Sequence, residues 1–132
     1  IDRESIAGLR VYKDSSIHRA GSQEKRWQAM VKLVKEARTD AIVFAARNDA
    51  VHLKLMADYL EELLQKDVDK LSSVRELRDQ MLDFALELGR SESEFQRLAS
   101  LHSSSPEVAD SLVRIALASK EAELRIRRAL QA

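Results

Sequence analysis

One short stretch of this chain carries residue types that could do chemistry together: Arg47-Asn48-Asp49-Ala50-Val51-His52. A guanidinium can stabilise negative charge developing on a phosphate, and an imidazole can pass a proton near neutral pH. Asp49 and His52 also stand three residues apart, the spacing of one half of a helical metal site. A di-metal bundle needs two Glu-x-x-His pairs and further carboxylates. The chain has three histidines, His18, His52 and His102, and no Glu-x-x-His, so neither a metal nor another cofactor is expected. It has no Gly-rich loop to cradle a phosphate. It has no cysteine, which removes disulfides, thiolate chemistry and Cys-based zinc sites together.

The Arg47 to His52 string resembles the Arg–polar–x3–His motif of the HEPN superfamily, helical proteins that include metal-independent ribonucleases. The resemblance covers these six residues. It implies Arg47 at a scissile phosphate and His52 as the proton shuttle. Five positions along a regular helix turn two side chains about 140° apart, so the pair converges only where a helix begins or distorts between them. The plainer reading makes Arg47 and His52 ordinary polar residues where an apolar helix start becomes amphipathic. A phosphoacceptor role for His52 is disfavoured by the large residues that follow it, Leu53-Lys54-Leu55-Met56.

The elements that would position these groups are all helices. Only Gly8, Gly21, Gly89 and Pro106 are strong helix breakers. No alternating β-branched run suggests a strand. Asp2 to about Tyr12 reads as a weak first helix interrupted by Gly8, and Lys13 to Ser22 as a connector. Ser22 is a good N-cap for a helix carrying Trp27, Met30, Val31, Val34 and Ala37 at helical spacing. Thr39 is a plausible cap for a third helix from Asp40, whose start, Ala41 to Ala46, is apolar all round. That helix reaches about Leu71, with the acidic run Asp58, Glu61, Glu62 on a solvated face.

Ser73-Val74-Arg75-Glu76 matches a capping box and predicts a kink or break near Ser72. The next helix is expected to stop at Gly89 and a short one to open at a second box, Ser91-Glu92-Ser93-Glu94. Ser105-Pro106 is the clearest boundary, because a proline at the first helical position loses nothing by its missing N–H. From there Val108, Leu112, Ile115, Ser119, Ala122, Ile126 and Ala129 recur at steps of four and three, a heptad seam. Val113, Leu117 and Leu124 lie beside that seam, so the helix is apolar over more than one partner helix would cover.

The reading is an all-α, single-domain bundle over residues 1–132, of five to six helices, mostly antiparallel, with residues 1–21 an N-terminal helix and connector and residues 22–132 the bundle. A chain of 132 residues buries enough surface to need no covalent staple. Its 22 basic and 22 acidic residues balance, which disfavours a nucleic-acid partner. No apolar run approaches the ~18 residues that span a membrane. The absence of cysteine fits a reducing, cytoplasmic setting.

Catalytic groups are sparse and apolar helical surface is plentiful. The leading expectation is therefore a non-catalytic protein–protein interaction module, an adaptor, regulatory or assembly domain. Leu117 and Leu124 are the candidate contact residues, with Trp27 a third if it is exposed. Self-association through the seam of the last helix is a further route. The alternative is a HEPN-like ribonuclease using Arg47 and His52.

Overall fold

The computed structural model describes residues 22–71 and 77–131, with side chains for all of these except 67–71. The first expected helix, its connector and the Ser73 capping box lie outside the described residues. Four helices are present, α1 (Gln23–Ala46), α2 (Ala50–Leu71), α3 (Arg78–Leu101) and α4 (Pro106–Gln131). The described residues are all-helical, with no strand, and hold four of the five to six helices expected of the whole chain.

Two of the expected boundaries are helix interiors. Thr39 begins no helix, because α1 runs through it to Ala46. Its hydroxyl donates to the Lys35 carbonyl at 3.4 Å, one turn back along the same helix, so a residue able to cap is satisfied without capping. Gly89 and Ser91 likewise sit inside α3. Ser91 is buried and accepts a hydrogen bond from Arg38 Nη1 at 2.9 Å.

Other boundaries are where local chemistry puts them. Ser22 Oγ accepts from the Lys25 N–H at 3.2 Å and satisfies one of the orphan donors of the α1 N-terminus. Pro106 is the first residue of α4, and the Ser105 carbonyl takes the first helical bond from the Ala109 N–H at 2.9 Å.

Packing order defines the topology. α1 lies against α2 and α3, and α4 lies against α2 and α3, which leaves α2 and α3 on the diagonal. Directions follow from the side-chain links. Gln80 reaches Glu24 and Arg38 reaches Glu87, so α1 and α3 run parallel. Asp58 meets Arg114 and the Leu64 carbonyl meets Arg125, so α2 and α4 run parallel as well. Lys120 meets Glu92 and Arg78 meets the Leu130 carbonyl, so α3 and α4 are antiparallel. α2 and α3, consecutive in the chain, are therefore diagonal to each other rather than packed as neighbours.

One core fills the space between the four helices. Trp27, Phe44, Phe84 and Phe95 are its largest fully buried side chains. Trp27 and Phe84 meet edge to face, with ring centroids 5.5 Å apart and planes at 60°, the geometry the ring quadrupoles favour. Trp27 has no exposed surface. It is a core residue and offers no anchor to a partner. The heptad seam is also interior: Val108, Leu112, Ile115, Ser119, Ala122 and Ile126 are all buried. α4 spends that seam on its own bundle, so the seam is closed to self-association.

The run Ala41 to Ala46 is only half buried, with Ile42 at 44% exposure. The acidic run is not simply solvated either. Arg114 Nη2 lies 2.6 Å from both Asp58 Oδ1 and Glu61 Oε1, and its Nε donates to Glu61 Oε2 at 3.1 Å. This forked grip ties α2 to α4.

Gly89 faces α4, where an added Cβ would stand 3.1 Å from a Glu123 carboxylate oxygen. A glycine in a helix interior costs up to ~1 kcal/mol against alanine. The opposing group is the free end of a flexible side chain, held by Arg127 Nε at 3.0 Å, and it can yield a few tenths of an ångström. Gly89→Ala is expected to raise the unfolding free energy by about 0.5 kcal/mol in urea titration. A loss of more than ~1 kcal/mol would mean that the Glu123–Arg127 pair cannot move.

Candidate functional site

The string expected to carry chemistry turns out to be the joint between α1 and α2. Arg47 ends α1, and its N–H bonds the Val43 carbonyl at 3.2 Å. Asn48 follows with φ of 56°, the left-handed conformation that asparagine tolerates better than most side chains. The Asn48 N–H reaches the Ala45 carbonyl at 3.0 Å and the Asp49 N–H reaches Phe44 at 2.9 Å. That pair of bonds is the Schellman closure of a helix C-terminus. Asp49 then caps α2, accepting the His52 N–H on Oδ1 at 3.1 Å.

His52 is buried, at 6% exposure. Its ring stacks on Phe44, 5.0 Å away at 17°. Nδ1 lies 2.6 Å from Asp49 Oδ2, and Nε2 has no hydrogen-bond partner. Arg47 is exposed at the turn. A helix does begin between Arg47 and His52, as convergence would require. The imidazole, however, is turned into the α1–α2 joint and is not presented to a substrate. The two residues share a turn, and only one of them meets solvent.

Burial pushes the Asp49 carboxyl up, but the hydrogen bonds from the His52 side chain and backbone outweigh it and hold the group below its ordinary 3.8. A depressed carboxylate contributes stability above its unfolded value and loses it as pH falls through its folded value. The Asp49 contribution is thus complete above about pH 4 and fades below it. Asp49→Ala is expected to destabilise the bundle by about 1 kcal/mol at neutral pH, with the difference from wild type shrinking in acid. Urea titrations at pH 7 and pH 3 check both parts. A difference that stays constant would mean that Asp49 does not act through its charge.

Among the described residues no group of three or more His, Asp or Glu side chains is placed to hold a metal. Nor is any helix among the described residues long and apolar enough to cross a membrane. Depressions among the described residues include two near α4. One is a groove of about 870 Å³ over α3, flanked by α1 and α4 and edged by Ile42, Leu86, Arg90 and Arg97. Its arginines are already engaged: Arg38 and Arg90 with Glu87, Arg97 with Glu94, Arg127 with Glu123. The other, of about 320 Å³ between α2 and α4, includes Leu117, Arg114 and Arg125.

The apolar residues beside the α4 seam are where the sequence leaves them unexplained. Val113, Leu117 and Leu124 are 42%, 52% and 44% exposed. At 100° per residue they share one stripe, about 180° from the buried seam. Arg114 and Arg125 turn toward α2, while Lys120 and Glu123 turn toward α3. The stripe therefore rides on the ridge of α4 with the bundle behind it. Among the described residues the fold is a four-helix bundle with α2 and α3 on a diagonal, and α4 carries an exposed apolar stripe. No protein-family model, curated protein or solved structure matches the chain.

Proposed function

We propose that this chain is a non-catalytic interaction module, an adaptor, regulatory or assembly domain, that binds a protein partner through the outward face of α4. One observation carries the reading: Val113, Leu117 and Leu124 are exposed at one phase of a helix whose own packing needs are met by a different face. Exposed leucines scattered singly are ordinary. Three at one helical phase, rimmed by charges, are the pattern of a helix that packs against another surface. The histidine that a nuclease would need is occupied inside the α1–α2 joint.

The test is photo-cross-linking in extract of the source cells. A benzophenone side chain at position 117 is compared with one at Ser100, exposed on α3. Protein adducts are expected from position 117 and not from position 100. Equal yields, or none from position 117, would overturn the proposal.

A further inference from the structure

We infer that the surface docked on α4 is a second copy of this chain, lying antiparallel about a two-fold axis near residue 119. The inference rests on the interaction reading above and names its partner. Its warrant is the symmetry of the charges around the stripe. Asp110 and Arg128 are both exposed and have no ion-pair partner among the described residues; Arg128 Nε only donates back to the Leu124 carbonyl at 3.3 Å.

They are eighteen residues apart, which is five whole helical turns and about 27 Å. They therefore stand on the same side of α4, one beyond each end of the stripe. Their midpoint is residue 119. The midpoint of the stripe, from Val113 to Leu124, falls between residues 118 and 119. A two-fold rotation about that point sets Val113 against the second copy's Leu124 at each end, with Leu117 beside the alkyl stem of the second copy's Lys120 and its Glu121. The same rotation sets each Asp110 against the second copy's Arg128, twice over, as an isologous interface requires.

A parallel arrangement would set Asp110 beside Asp110 and Arg128 beside Arg128, placing like charges together. Antiparallel docking also lays each helix N-terminus beside a C-terminus, which the helix dipoles favour. Lys120 and Glu121 are charges between Leu117 and Leu124: the Lys120 Nζ leans toward α3, 3.3 Å from Glu92, and Glu121 is exposed on the side of Leu117 that faces α2. Arg114, on the flank, is held by Asp58 and Glu61. The Lys120 and Arg114 charges are thus held off the contact.

Sedimentation equilibrium of the whole chain tests this, from about 1 μM to about 1 mM. The apparent mass is expected to rise from 15.0 kDa toward twice that value with concentration. Asp110→Arg and Arg128→Asp should each weaken the dimer about tenfold, because each sets like charges together at both symmetric contacts. The double variant D110R/R128D exchanges the two charges and should return to the wild-type constant. A wild-type chain that stays at 15.0 kDa throughout, or a double variant no tighter than the singles, would overturn the inference. If the chain is monomeric while position 117 still cross-links to another protein, self-docking alone falls. If neither occurs, the interaction reading falls with it.

Discussion

Trp27→Ala is expected to lower the unfolding free energy by about 4 kcal/mol. The indole has no exposed surface and meets Phe84 edge to face. Truncation removes its transfer energy, its ring contact and its packing at once, and leaves a cavity where α1 meets α3. Trp27→Phe should cost much less, about 1.5 kcal/mol. The buried Nε1 has no hydrogen-bond partner, so phenylalanine removes a desolvated donor along with the extra ring. Urea titration followed by circular dichroism measures both variants, since the chain's only tryptophan is the residue removed. Equal losses for the two would mean that the site collapses around any smaller ring.

Glu87→Ala is expected to cost about 3 kcal/mol, and it is the second-largest effect of a single change. Glu87 is a buried carboxylate on α3. Its Oε1 takes Arg38 Nη2 of α1 at 2.6 Å, and Oε2 takes Arg90 Nη1 at 2.7 Å. Arg38 Nη1 also donates to the Glu87 carbonyl at 3.0 Å and to Ser91 Oγ. Removing the carboxylate strands a half-buried guanidinium between two helices, which costs far more than an exposed pair is worth.

Burial pushes the Glu87 carboxyl up, but the hydrogen bond and charge of Arg38, with the charges of Arg90 and Lys35, outweigh it and hold the group below its ordinary 4.5. The folded value is depressed, so the contribution is complete above about pH 5 and is lost as pH falls through the folded value. Wild type and Glu87→Ala should therefore converge in stability in acid. Parallel curves from pH 7 to pH 3 would show that Glu87 acts by packing rather than by charge.

The heptad seam of α4 was legible in the sequence because periodicity reports burial directly, and Leu117 and Leu124 stood apart from it for the same reason. Ser22 and Ser105-Pro106 were legible because each cap coincides with a change of pattern. Thr39, Gly89 and Ser91 misled because cap chemistry permits a boundary without requiring one. Thr39 satisfies itself against its own helix, and Gly89 and Ser91 answer to neighbours far along the chain, Glu123 and Arg38. The break at Asn48-Asp49 had a local signal, an asparagine suited to positive φ followed by a capping aspartate. Arg47 and His52 on either side of it suggested catalysis, although the pair brackets a turn. The Arg38–Glu87–Ser91 cluster joins residues about fifty positions apart, and no local pattern encodes it.

The central claim is that the outward stripe of α4 binds and does not build the fold. One comparison tests it most directly: Leu124→Asp is introduced into the chain carrying the cross-linker at position 117, and adduct yield and urea midpoint are read on the same sample. The account predicts that the adducts disappear while the unfolding free energy stays within about 0.5 kcal/mol of the parent. A loss above ~2 kcal/mol would make Leu124 part of the core, and an unchanged adduct yield would mean that the stripe is not the surface a partner uses.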